Sequence, residues 1–207
     1  MIKEFLLENF GYNEPIFLKD LSFEGISENA MRQSIKRLVA NGFLERYDSG
    51  IYYIPKRDGL LGKGYLNTSV VVERKYIQNK EEVFGYITGL SLANSLRLTT
   101  QMSAITEIVT NKEATKGRLV CVGSQKVRLK KPSITISRQN VELLQLLDGV
   151  AQAERYTELP LKDTISVLGA YIRQKHFTRE QISKILPGLT GDIAKKMITW
   201  ELIYEFA

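Results

Sequence analysis

The sequence has one cysteine, one histidine and no apolar run long enough to cross a bilayer. A lone Cys121 excludes an intrachain disulfide. One cysteine and one histidine, His176, leave too few soft ligands for a zinc site. A membrane helix needs roughly 18 or more consecutive apolar residues, and no such run occurs. The opening "MIKEFLLENFGYNE" lacks the layout of a signal peptide, because Glu8 and Asn9 break its short apolar run. These absences predict a soluble, cytoplasmic protein without membrane contact. Catalytic patterns are equally scarce. No paired carboxylates, Ser/His/Asp set or cofactor motif emerges. The glycines of "GYITGLSLANS" are not followed by the Lys-Ser/Thr of a phosphate loop, nor by the acid pair of a nucleotidyltransferase. We therefore expect no enzyme and no cofactor.

The 207 residues are 43% apolar, enough for one or two domains with a real core. The net charge of +6 is unevenly placed. Residues 1–57 carry eight basic and eight acidic side chains, and residues 138–207 carry nine of each. The excess lies in residues 58–137, with twelve basic against six acidic. A basic middle between neutral ends fits contact with an anionic partner, and it equally serves solubility.

The stretch "SENAMRQSIKRLVANGFLERYDSGIYYIP" is the most informative. Ser27 suits an N-cap, since its hydroxyl can accept from first-turn amides. Met31, Ile35 and Leu38 recur at helical spacing and form one apolar face. Asn29, Arg32, Gln33 and Lys36 fall opposite them. Asn41-Gly42 ends the helix, and "FLERY" and "IYYIP" pair around the turn "DSG". Upstream, "IKEFLLENF" is an amphipathic helix, and "PIFLKDL" reads as a second, short one started by Pro15. Three helices and a hairpin make a winged helix-turn-helix, whose third helix enters a DNA major groove. Asn and Gln suit adenine edges, and Arg and Lys suit guanine. Any surface helix is also polar outside, so both readings stand at this point. Arg46 near the hairpin tip, followed by Lys56 and Arg57, is placed for phosphate contact, and Ser27 at the start of the helix is counted among the expected DNA contacts.

Beyond residue 57, "KRDGLLGKGYLN" reads as a boundary, which gives a winged helix over 1–57, a linker over 58–68 and a C-terminal domain over 69–207. "TSVVVERKYI" reads as a strand and "EEVFGYITGLSLANSLRLTTQ" as mostly helix, its small residues Gly85 and Gly89 allowing close approach. "AITEIVT", "GRLVCVG", "QKVRLKK" and "SITIS" have strand character, with Cys121 buried and inert. Lys126, Arg128 and Lys130 alternate with Val127 and Leu129, so three cations share one strand face. They are either an anion-binding row or the protective charges of an edge strand. Helices then return to the C-terminus, with Thr178 as a cap. The predicted class is α+β: a winged helix followed by a mixed α/β domain with a small sheet and a helical tail.

Taken in order, "GFLERYDSGIYYIPK", "KYI", "GYITGLSLANSLRLTTQMSAITEIVTNK", "VRLKKP" and "NVELLQLLDGV" resemble the AbiEi-type antitoxins of bacterial type IV toxin–antitoxin (abortive infection) systems. The resemblance spans nearly the whole chain. It implies a winged helix that binds inverted repeats in the operon's own promoter, autorepressing it. It also implies a C-terminal domain that neutralises a nucleotidyltransferase toxin without needing to bind it. Asn29, Arg32, Gln33 and Lys36 would be the reading residues, Arg46 the wing contact, and Lys126, Arg128 and Lys130 a supporting strand. The alternative is a winged-helix regulator of another operon, its C-terminal domain sensing a ligand or dimerising.

Overall fold

The computed structural model describes residues 2–23, 25–58 and 62–207. Among them are eight α-helices and three small sheets, so the protein is mixed α and β as predicted. The chain divides into two compact units, Met1–Lys75 with Val122–Ser124, and Tyr76–Cys121 with Gln125–Ala207. Gly59, Leu60 and Leu61 of the expected linker lie outside the described residues. Its flanks, β4 (Arg57–Asp58) and β5 (Gly62–Lys63), pair antiparallel.

In the first unit, α1 (Ile2–Phe10) leads to β1 (Ile16–Phe17), a 3₁₀ turn (Leu18–Asp20), α2 (Glu28–Ala40) and the hairpin β2 (Glu45–Asp48) and β3 (Ile51–Tyr53). "PIFLKDL" is therefore strand plus 3₁₀ turn, not helix. Ile16 and Phe17 are both buried and pair antiparallel with Tyr52 and Ile51. That pairing outweighs the local preference set by Pro15. Ser27 caps α2 as expected, accepting from the Ala30 amide at 3.3 Å. At the other end Gly42 takes the left-handed conformation (φ +73°), while Asn41 does not. Met31, Ile35 and Leu38 are buried with Leu6, Ile16 and Leu44. Each such side chain contributes about 1.5–3 kcal/mol on leaving water, which fixes the rotation of α2 about its axis.

The second unit is built on the sheet β6 (Gly85–Thr88), β7 (Thr106–Thr110), β9 (Gln125–Lys130) and β8 (Arg118–Val122), in that spatial order. β6 and β7 run antiparallel, and β7 and β9 run parallel. Helices α4 (Gly89–Ser95), α5 (Val141–Tyr156), α6 (Leu161–Gln174), α7 (Arg179–Ile185) and α8 (Gly191–Thr199) supply the rest. α5 is central, burying Leu143, Leu146, Leu147 and Val150. Thr178 caps α7 as expected, and forms a full capping box with Gln181.

Four expectations fail here. "TSVVVERKY" is α3 (Thr68–Tyr76), not a strand: Asn67 Oδ1 accepts from the Ser69 amide at the helix start, and Val71 and Val72 are buried. A cap and burial override β-branched preference. In "EEVFGYITGLSLANS" only the second half is helical. The first half is β6, whose aromatic and β-branched residues fit a pleated surface. "SITIS" joins no strand, because the Asn111 side chain takes its backbone groups: Ile136 N donates to Asn111 Oδ1 at 2.9 Å, and Asn111 Nδ2 donates to the Ile136 carbonyl at 2.8 Å. Cys121 is exposed on β8, not buried, since β8 is the sheet's edge and Cys121 alternates with the buried Val122.

Two carboxylates bind this unit's loops. Glu113 accepts from Thr115 Oγ1 (2.7 Å), the Thr115 amide (2.9 Å) and Arg118 Nε (2.7 Å), which pull its pKa down to about 2. Glu158 accepts from the Thr100 amide (2.8 Å) and Gln101 Nε2 (3.0 Å), and its pKa also falls to about 2. A depressed carboxylate stabilises the fold fully above its ordinary value of 4.5 and loses that contribution as pH drops toward 2. The urea midpoint of this unit, read by the buried Trp200, should therefore fall across that window. Glu113→Gln and Glu158→Gln should each flatten the fall. An unaltered acid limb in both variants would contradict the assignment.

Candidate nucleic-acid interface

With the apolar side of α2 fixed inward, 3.6 residues per turn decides what faces out. Asn29, Gln33, Lys36 and Ala40 lie opposite the core residues, and all four are exposed. Arg37, also exposed, flanks them on one side, and Arg32 flanks them on the other. Arg37 was missed by the sequence reading, although the same helical count places it next to Gln33. Arg32 is less free than expected: its guanidinium lies 3.6 Å from Glu28, one turn earlier. Its side chain is still 62% exposed, and a surface pair of this kind is worth at most about 1 kcal/mol. Among the described residues, neither Lys36 nor Arg37 makes an ion pair. Glu28 is the only acid on α2, so the outward face from Asn29 onward carries no carboxylate.

The hairpin places its cation differently. Arg46 is exposed opposite Tyr52, and its Nε donates to the Asp48 carbonyl at 3.3 Å across a bulge between Arg46 and Asp48. Gly50, with φ of +70°, closes the turn. Of the two acids of β2, Asp48 accepts from the Ser49 amide at 2.6 Å, and Glu45 pairs with Lys63 and accepts from Tyr53 Oη at 2.9 Å. The Lys63 ammonium holds its carboxyl below the usual range, while burial, then Glu45, pushes the Tyr53 phenol up to about 12.

Three other predicted residues have local duties. The Ser27 hydroxyl is engaged in capping. The Lys56 amide donates to Asn13 Oδ1 at 3.1 Å, leaving its side chain exposed. Arg57 Nη2 donates to the Gly42 carbonyl at 2.8 Å, so its guanidinium staples the turn that follows α2.

In the second unit, Lys126, Arg128 and Lys130 share one face of β9, and Val127 and Leu129 are buried on the other. β9 is interior to the sheet, so these are not edge charges. Parallel pairing sets Glu107 beside Arg128. Glu107 lies 3.7 Å from Arg128 Nε and 2.6 Å from Lys130 Nζ. The row therefore holds one cation without an ion pair among the described residues, Lys126, and two that share a carboxylate.

Residues 12–153 match a family of unknown function, DUF6088. The chain belongs to that family. The DUF6088 match takes in α2, the hairpin, the four-stranded sheet and most of α5, and so every candidate residue above. Helices α6, α7 and α8 lie beyond it. No curated protein matches the chain. Among the described residues, no helix is long and apolar enough to cross a membrane.

Proposed function

We propose that this DUF6088 protein is a DNA-binding autorepressor that reads double-stranded operator DNA with α2. We further propose that it is the antitoxin of a type IV toxin–antitoxin operon, opposing a nucleotidyltransferase toxin. The carrying observation is the outward face of α2: Asn29, Gln33, Lys36 and Arg37, exposed, with no acid among them. Two amides and two cations are the groups that complement base edges and phosphates. The chain order supports a winged helix-turn-helix: α1, β1, α2, then a hairpin whose β3 pairs with β1, the second helix being reduced to one 3₁₀ turn. The antitoxin half of the reading rests on the resemblance of the whole string to AbiEi-type antitoxins. No enzymatic role forms part of it.

The test is fluorescence anisotropy with the duplex upstream of the chain's own gene, against a scrambled duplex. Sequence-specific binding is expected, with affinity falling steeply as salt rises. Equal binding to both duplexes would end the repressor reading. Arg46→Ala should weaken both duplexes alike and reduce the salt slope by about one, because a phosphate contact carries no sequence information. Co-expression with an adjacent nucleotidyltransferase gene, scored for growth, tests the antitoxin reading separately.

A further inference from the structure

Beside the N-terminal end of α2 is a cavity of about 390 Å³, formed wholly within the first unit. Its floor is apolar, made by Phe17, Leu18, Met31 and Ile51. Among the described residues its rim carries three cations, Lys19, Arg32 and Lys75, and one carboxylate, Glu28. Arg32 pairs with Glu28 at 3.6 Å and Lys19 with Asp20 at 4.0 Å, both exposed pairs that an incoming anion can exchange for at little cost. The hairpin turn, Ser49-Gly50, closes one side, held by the Leu18 amide donating to the Gly50 carbonyl at 2.9 Å. The first two turns of α2 supply Glu28, Met31 and Arg32 to this lining. An apolar floor of this volume under a rim in which cations outnumber carboxylates matches the general pattern of small-molecule sites. The sign of the rim selects the ligand.

We propose that this cavity binds a small organic anion, a carboxylate on a flat apolar body, and that the ligand acts as an effector of DNA binding. The carboxylate is held by Arg32 and Lys19, and the apolar body lies over Met31 and Ile51. Occupancy draws Arg32 away from the outward face of α2 and fills the space between that helix and the hairpin turn. The effector role, though not the binding site, rests on the DNA-binding reading above.

The test uses the full chain and 2-naphthoate, with 2-naphthol as its neutral counterpart. Amide NMR shifts on titration should concentrate at Leu18, Lys19, Met31, Arg32, Gly50 and Ile51, and 2-naphthol should bind at least tenfold more weakly. Lys19→Gln and Arg32→Gln each replace an exposed side chain and should each weaken 2-naphthoate at least tenfold without moving the urea midpoint. Saturating 2-naphthoate should weaken operator binding at least fivefold. Shifts scattered elsewhere, or equal binding of acid and alcohol, would overturn the site. Localised binding with no change in operator affinity would overturn the effector role alone. Localised binding by a chain that ignores all DNA would keep the site and reject the DNA reading.

Discussion

Removing the charges of Lys36 and Arg37 together, as Lys36→Gln with Arg37→Gln, is expected to reduce operator binding by about 10²- to 10⁴-fold. A hydrogen bond from a charged group contributes about 1.5–3 kcal/mol, and each 1.4 kcal/mol is a factor of ten. Two such losses compound into that range. Glutamine is the right replacement because its helix propensity is close to that of lysine and arginine. It also avoids placing an acid near the negative end of α2. Both residues are exposed, and neither makes an ion pair among the described residues, so the fold should not suffer. Circular dichroism and the urea midpoint should match the wild type. Gln33→Ala should behave differently, eroding discrimination between operator and scrambled DNA by about 1–3 kcal/mol while leaving non-specific binding almost unchanged. A double variant that binds operator as tightly as the wild type would remove α2 from the interface, and with it the repressor.

What could be read from the sequence divides along a physical line. Elements that encode their own boundaries were legible. Ser27, the spacing of Met31, Ile35 and Leu38, and Asn41-Gly42 define α2 nearly to the residue. Thr178 marks the start of α7, and strict alternation defines β9. Elements decided by a distant partner were not. Ile16 and Phe17 are a strand only because β3 lies beside them, and "SITIS" is not a strand because Asn111 reached it first. Asn67 is the capping signal that would have identified α3. It stands directly before "TSVVVERKY", whose β-branched run by itself favours a strand. The candidate site shows the same division. The outward face of α2 follows from periodicity alone. The compensation of Arg128 and Lys130 by Glu107 depends on β7 and β9 pairing in parallel across some twenty residues, and no local pattern announces that register.

Gly85 carries the largest expected effect on stability. The sequence reading assigned it, with Gly89, to a helix where small residues allow close approach. The helix is wrong at Gly85, yet the approach is real. A Cβ built on Gly85 would sit 2.1 Å from the Tyr76 carbonyl oxygen and 2.9 Å from that of Val109. Both obstacles are backbone, so neither can rotate aside. Val109 belongs to the neighbouring β7, directly opposite Tyr86. Gly85→Ala must therefore push β6 away from the chain at Tyr76 or out of register with β7. Overpacking a core commonly costs about 1–3 kcal/mol, and a clash against two fixed carbonyls belongs at or above the upper end. Trp200, the only tryptophan, is buried in the same unit and reports its unfolding. The urea midpoint followed by Trp200 fluorescence should drop sharply in Gly85→Ala. Gly191→Ala is the matched control: it begins α8 and has nothing within 4 Å of the added Cβ. Alanine there should be neutral or stabilise by up to about 1 kcal/mol. If the two variants unfolded at the same urea concentration, the crowding of β6 against Tyr76 would be wrong, and the packing of this sheet edge with it.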